Sequence, residues 1–186
     1  RLHGARVVEV PLVDSDAGLC VDLEALGDAA LAQDASLVFL CSPGNPSGEA
    51  LPLGAIAALA LRLRGRALVV VDEAYAEYSD LPSALALLPV HDNVVVLRTL
   101  SKAHALAGAR VGTAVAAPEL IEALRRCQAP YPMPQPVIAQ ALQEIEQRIA
   151  RLQPERLAAR HEEALAPGIA VRSLGDGDDA QFGNAE

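Results

Sequence analysis

Three runs of apolar residues constrain this chain more than any other feature. They are Ser36 to Cys41 (SLVFLC), Ala67 to Val71 (ALVVV) and Asn93 to Leu97 (NVVVL). None of them alternates polar with apolar residues. A strand with one wet face alternates, so a continuous apolar strand is expected where helices cover both faces of a parallel sheet. The segments between the runs agree. Asp22 to Gln33 reads as a helix with Asp22 as its N-cap, and Glu49 to Arg64 is Ala/Leu-rich and helical. Strands alternating with helices imply an α/β fold. Arg6 to Val10 and Val111 to Ala116 read as further strands, and Pro118 to Arg126 as a short helix with Pro in its first turn. Only 13 residues separate Leu97 from Val111. That is short for a parallel crossover, so the Val111 strand is expected to run antiparallel.

The character changes after Pro130. Residues 129–136 (APYPMPQP) are too rich in proline for helix. A charged Ala/Leu/Glu/Arg stretch from Val137 to Ala164, broken at Pro154, reads as an exposed amphipathic helix or pair. The tail from Gly175 is polar and glycine-rich and is expected to fray. No internal repeat is present.

Composition narrows the function classes. The 186 residues are 52% hydrophobic with no Trp, so the core is built from Ala, Leu and Val. A formal net charge of -9 argues against nucleic acid, whose phosphates need clustered Lys and Arg. No apolar run approaches the roughly 18 residues of a membrane span. Cys20, Cys41 and Cys127 lack metal-ligand spacing and are expected as reduced thiols packed like small hydrophobes, as in a reducing cytoplasm. No metal site is expected. The chain starts at Arg1 without an initiator Met, and we expect a fragment.

Chemistry concentrates in three loops, each at the C-terminal end of an apolar strand, the edge where open α/β sheets bind ligands. The first is Ser42-Pro43-Gly44-Asn45-Pro46-Ser47-Gly48, a rigid turn in which the Asn45 amide can donate. It serves equally as a plain connection. The second is Asp72-Glu73-Ala74-Tyr75. A carboxylate there needs a partner, either a ligand cation or the N-terminus of a following helix. The third is Arg98-Thr99-Leu100-Ser101-Lys102, followed by Ala107-Gly108-Ala109-Arg110. Lys102 is the only lysine in the chain. Lysine amines link to carbonyl cofactors, and Thr99, Ser101 and Arg110 carry donors suited to phosphate.

Order, spacing and strand context together carry a resemblance. CSPGNPSG (41–48), VVVDEAYAEYS (ending at Ser79), VVVLRTLSKAHALAGARVG (94–112) and CQAPYPMPQP (127–136) resemble the fold-type I, class I/II aminotransferases, and within them the histidinol-phosphate aminotransferase group. The likeness covers Arg6 to Val137. It implies a three-layer α/β/α large domain with a mostly parallel sheet over 1–136. Residues 137–186 would be a linking helix and part of a small α+β domain. It implies pyridoxal 5'-phosphate as cofactor, joined to Lys102 as a Schiff base. Asp72 would pair with the ring nitrogen, and Asn45 and Tyr75 would bond the phenolic oxygen. Ser101, Arg110 and, more weakly, Thr99 would bind phosphate. Gly44 departs from the family, which often has Asn there. The implied reaction moves an amino group between L-histidinol phosphate (imidazole acetol phosphate) and 2-oxoglutarate, in histidine biosynthesis. The implied whole protein is a cytoplasmic homodimer, with its glycine-rich phosphate segment and substrate-clamping Arg outside this chain, so the chain alone is expected to be poorly active.

Competing readings are a threonine-phosphate decarboxylase or other aminotransferase, and a truncated non-catalytic homologue acting through dimerisation. A dinucleotide site is excluded because no G-x-G-x-x-G follows a strand. Packing roles are expected for His91 and His104, a structural donor for Glu73, and a solvated helix end for Arg125 and Arg126. Tyr131 reads equally as a packing residue or as one approaching substrate.

Overall fold

The computed structural model describes residues 4–16, 18–129 and 132–151. A four-stranded sheet forms its centre, with β3 (Leu37–Cys41), β4 (Leu68–Asp72), β5 (Val94–Thr99) and β6 (Gly112–Ala116) in that spatial order. β3, β4 and β5 are parallel, and β6 runs antiparallel to β5, as its short connection predicts. A hairpin of β1 (Val13–Ser15) and β2 (Gly18–Cys20) precedes the sheet.

Helices cover both faces. α1 (Leu23–Ala32) and α2 (Leu53–Arg62) pack on one side, burying Ile56, Leu59 and Leu63 against Val69, Val71, Val94 and Val96. α3 (Pro118–Cys127) lies on the other, where Leu120 and Ile121 meet Val70, Val95 and Ala116. The alternation of valines between two cores explains why Val69–Val71 and Val94–Val96 are uninterrupted by polar residues: odd and even positions both face helices. α1 begins where Asp22 accepts from Ala25 N at 2.9 Å, the expected cap. α3 starts with Pro118 in its first turn, with Glu119 at its positive end and Arg125 and Arg126 at its negative end. At the base of β5, buried Asn93 donates to the Ala60 and Ala67 carbonyls at 2.9 and 3.1 Å, fastening α2 to the sheet.

Several expectations are corrected. β3 is not buried on both faces. Leu37, Phe39 and Cys41 are exposed, Phe39 at 63%, because β3 is an edge of the described sheet and none of the described helices covers that side. Residues 6–10 form no strand. They have no ladder partner among the described residues, and the pairing in this region is the β1–β2 hairpin instead. α2 starts at Leu53 rather than Glu49, since Glu49 is spent on the preceding loop, accepting from Val21 N at 2.7 Å. The cysteines are free, but Cys41 and Cys127 are exposed rather than packed. α4 (Gln135–Arg151) begins inside the proline-rich run, with Pro136 in its first turn, where a missing N–H costs nothing. Pro154, the remainder of the 137–164 stretch, the tail from Gly175 and Tyr131 lie outside the described residues. Among those described, no helix is long and apolar enough to cross a membrane.

Candidate functional site

Register places the site. Cys41 pairs with Asp72 and Asp72 with Leu97, so three parallel strands end at one level and their loops emerge side by side. The first loop is braced from within. Gly44 N donates to Glu49 O at 2.7 Å, Gly48 N to Gly44 O at 2.9 Å, and Leu51 N to Ser42 Oγ at 2.9 Å. Both Ser42–Pro43 and Asn45–Pro46 are cis peptides. The bracing leaves Asn45 exposed, with its amide donating to the Tyr75 hydroxyl at 3.3 Å. Two groups expected to converge on one ligand oxygen thus converge on each other. A cleft of about 430 Å³ opens between this loop and the Tyr75–Ser79 turn, lined by Pro43, Asn45, Pro46, Tyr75, Tyr78 and Ser79. Asp72 and Lys102 stand outside its lining.

Asp72 is half-buried at the end of β4. Its Oδ1 accepts from Ala74 N at 3.0 Å, so the carboxylate tightens the turn that carries Tyr75. Among the described residues Oδ2 makes no hydrogen bond. Burial, and next the charge of Asp72, push the neighbouring Cys41 thiol above its ordinary value.

Lys102 is exposed, with Nζ over the Tyr75 ring at 5.1 Å from the centroid. Its loop folds back, Leu100 N donating to Val111 O and Leu106 N to Leu100 O. Ala105 (φ 55°) and Arg110 (φ 58°) take left-handed backbone that side chains with a Cβ rarely adopt. The Thr99 hydroxyl lies 2.9 Å from Ser101 Oγ and accepts from Ser101 N at 3.1 Å, so the two hydroxyls form a pair beside Lys102. Arg110 does not join them: its Nη1 donates to Ala107 O at 2.9 Å. From α4, Arg148 reaches the Ala103 carbonyl at 3.0 Å.

The structure therefore brings Asn45, Tyr75 and Lys102 together, sets Asp72 at the same sheet edge, and pairs Thr99 with Ser101. It also shows a network that sequence reasoning missed. Buried Glu73 accepts from Ser83 Oγ at 2.7 Å and Ala84 N at 2.6 Å, and forms an ion pair with Arg98 Nε at 2.8 Å. These are structural donors, as expected for Glu73. Arg98 also bonds Glu77 Oε1 at 3.0 Å and Ser83 Oγ at 3.1 Å. The available signal was two glutamates four apart after β4, facing an arginine at the end of β5.

The sequence profile of the aminotransferase class I and II family matches residues 1–165. The chain belongs to this family. Among curated relatives, a histidinol-phosphate aminotransferase of Stenotrophomonas maltophilia is 56% identical over 172 residues, covering 92% of this chain and 45% of the relative. A histidinol-phosphate aminotransferase of Xanthomonas campestris pv. campestris is 52% identical over 182 residues, covering 94% of this chain and 50% of the relative. This aminotransferase chain thus spans about half the length of the curated relatives it matches. Its fold matches the histidinol-phosphate aminotransferase of Sinorhizobium meliloti, solved in complex with pyridoxal-5'-phosphate, with a TM-score of 0.70 and 34% identity over 80% of this chain and 40% of that one. The shared architecture is an α/β fold with a mostly parallel sheet.

Proposed function

We propose that the chain is the cofactor-binding portion of a pyridoxal-5'-phosphate-dependent aminotransferase. The whole protein transfers an amino group between L-histidinol phosphate and 2-oxoglutarate, in histidine biosynthesis. The observation that carries this reading is the convergence of Asn45, Tyr75 and the only lysine at one sheet edge, beside the strand-end carboxylate of Asp72. The relatives' names support the substrate pair.

The donor set fits the cofactor by its chemistry. Lys102 offers an amine to an aldehyde. Asp72 offers a carboxylate to a ring N–H, Asn45 and Tyr75 offer donors to a phenolic oxygen, and the Thr99 and Ser101 hydroxyls suit a phosphate. Arg110 joins the phosphate set once its guanidinium leaves the Ala107 carbonyl. When bound, the cofactor supplies an electron sink for charge left at the substrate α-carbon. The protein's part is positional and protonic. Asp72 holds the proton on the ring nitrogen, and Asn45 and Tyr75 orient the ring from one edge. Lys102 Nζ, once free, would take the proton from the α-carbon and deliver it to the cofactor carbon that had carried the aldehyde.

On this reading residues 1–136 form the cofactor-binding part and 137–186 begin a linking region, of which α4 is the described portion. The whole protein works as a cytoplasmic homodimer. Three free cysteines are consistent with a reducing compartment.

The test is chemical trapping. The chain is incubated with pyridoxal 5'-phosphate, reduced with borohydride, digested and mapped. Label is expected on Lys102, and none in Lys102→Ala. Label confined to the N-terminal amine would refute the cofactor role. A panel of amino donors on the whole protein decides the substrate: turnover of another donor in preference to L-histidinol phosphate would refute that part alone.

A further inference from the structure

Three segments meet on one oxygen of Glu77. This residue sits in the 3-10 turn Ala76–Tyr78, immediately after Tyr75, whose carbonyl accepts from Tyr78 N at 3.0 Å. Glu77 Oε1 accepts from Arg98 Nη1 at 3.0 Å and lies 3.8 Å from His104 Nε2. Arg98 is four residues before Lys102 and His104 two residues after it. One carboxylate oxygen is therefore bonded by a residue before the lysine and approached by one after it. The rest of the Arg98 fork is fixed on Glu73 and Ser83, so the arginine cannot follow Glu77 if that residue moves.

Tyr75 and Lys102, by contrast, share no hydrogen bond. The amine stands over the ring at 5.1 Å, and an exposed cation over a ring is held less firmly than the cost of immobilising a lysine side chain. The Asn45 bond at 3.3 Å fixes only the hydroxyl end of the ring. Glu73 ties the chain before Tyr75 to the end of β5, through its backbone N to Leu97 O and its ion pair with Arg98; among the described residues, the side-chain tie after Tyr75 runs through Glu77.

We propose that Glu77 is a positioning residue, clamped by Arg98, that sets the Tyr75 ring against the Lys102 amine. Its bearing on catalysis rests on the reading of Lys102 as the cofactor-linking amine. Its geometry does not, and can be tested without cofactor.

Because Lys102 is the only lysine, carbon-13 lysine labelling gives one lysine spin system in the full chain. Protons near the face of an aromatic ring are shifted upfield, so the Lys102 ε-methylene signal reports the placement of Tyr75. Tyr75→Leu defines the signal without the ring. Glu77→Ala and Arg98→Ala are expected to lose the upfield displacement and coincide with Tyr75→Leu. Glu77→Gln keeps an oxygen for Arg98 and should retain the wild-type position. Arg98→Lys, a point charge unable to reach three acceptors, should not. The two alanine variants remove opposite charges, so displacements of opposite sign would mean a charge effect and overturn the proposal. An unshifted signal in folded Glu77→Ala overturns it as well. Should the alanine variants fail to fold, the Gln and Lys variants decide by the same criterion.

Borohydride trapping of pyridoxal 5'-phosphate on the same samples separates the two readings. A wild-type chain that keeps the upfield signal but traps no cofactor supports the placement and sinks the cofactor role. A wild-type chain that traps cofactor while Glu77→Ala keeps the signal does the reverse.

Discussion

Removing the Glu73 carboxylate should unfasten the site and destabilise the fold by an amount the structure sets. The side chain is 4% exposed, accepts from Ser83 Oγ at 2.7 Å and Ala84 N at 2.6 Å, and forms an ion pair with Arg98, whose Nε lies 2.8 Å away. Glu73→Ala leaves the Ala84 N–H buried without an acceptor, a loss of about 1–3 kcal/mol. It also breaks a buried ion pair from one side, which costs about 3–5 kcal/mol when the surviving charge is stranded. Arg98 is not wholly stranded: its side chain is 27% exposed and keeps Glu77 and Ser83. The pair therefore contributes from the low end of its range. The two losses overlap, and the expected total is about 4 kcal/mol.

Urea unfolding followed by far-ultraviolet circular dichroism measures it. With a slope of about 2 kcal/mol per molar, the midpoint should fall by about 2 M at unchanged slope. Glu73→Gln keeps one acceptor oxygen and the side-chain volume but not the charge, and should lose about half as much. In a double-mutant cycle with Arg98→Met, the combined loss should fall short of the sum of the single losses. A midpoint shift below about 0.5 M for Glu73→Ala, or strict additivity with Arg98→Met, would refute the reasoning.

Asn93→Leu removes both bonds of its amide and leaves the Ala60 carbonyl, in the last turn of α2, without its partner. The expected loss is about 1–3 kcal/mol, read as a lower urea midpoint with the site loops unaffected. At Gly27, where α1 meets α2, a Cβ would stand 2.7 Å from Arg62 Nη1 and 3.2 Å from Leu59 Cδ1. Gly27→Ala should be near neutral, since the end of Arg62 can swing and alanine gains about 0.8–1.0 kcal/mol of helix propensity, whereas Gly27→Val should cost about 1–3 kcal/mol in the same assay. The Cys41 thiol is raised above its ordinary value of 9.0 by burial first and by the charge of Asp72 second. A raised acid stays protonated to higher pH, so Cys41 should alkylate slowly with iodoacetamide at neutral pH despite its exposure and speed up only in alkali, and Asp72→Asn should accelerate it. The same sign makes its contribution to stability present below the ordinary thiol value and lost as pH rises above it.

The parallel core was legible because its physical cause is local. Val69–Val71 and Val94–Val96 must be dry on both faces, and a run of valines says so. The antiparallel β6 followed from the length of one connection. The edge was not legible. Phe39 looks like core in the sequence, and nothing in SLVFLC tells that one face of β3 is open. Nor could 6–10 be told from a paired strand, because pairing depends on a neighbour rather than on the segment. The start of α4 was misread for a different reason: proline forbids helix interiors and not first turns, and which of these applies at Pro136 depends on where the helix begins.

The same division governs the site. The nearness of the candidate residues Asn45, Asp72, Tyr75 and Lys102 was legible because each lies at or after a strand end, and strands in register end at one level, Cys41 beside Asp72 beside Leu97. Position in sequence then becomes position in space. Glu77, Arg98 and Ser83 escaped because their relation is not sequential. They belong to a turn, a strand end and a loop, and only the folded chain shows that the Arg98 guanidinium reaches Glu77 and Ser83 as well as Glu73. Ala105 and Arg110 escaped as well, for a reason opposite to a glycine signal: ordinary residues hold left-handed backbone in the segment that follows Lys102. Such conformations persist only where surroundings over-determine them. Here the surroundings are the β5–β6 ladder on one side and Arg148 of α4 on the Ala103 carbonyl on the other. The loop bearing the Lys102 amine is thus held from β6 and from α4 as well as from its own strand. A chain shortened before α4 should keep its valine core and yet lose definition at Lys102.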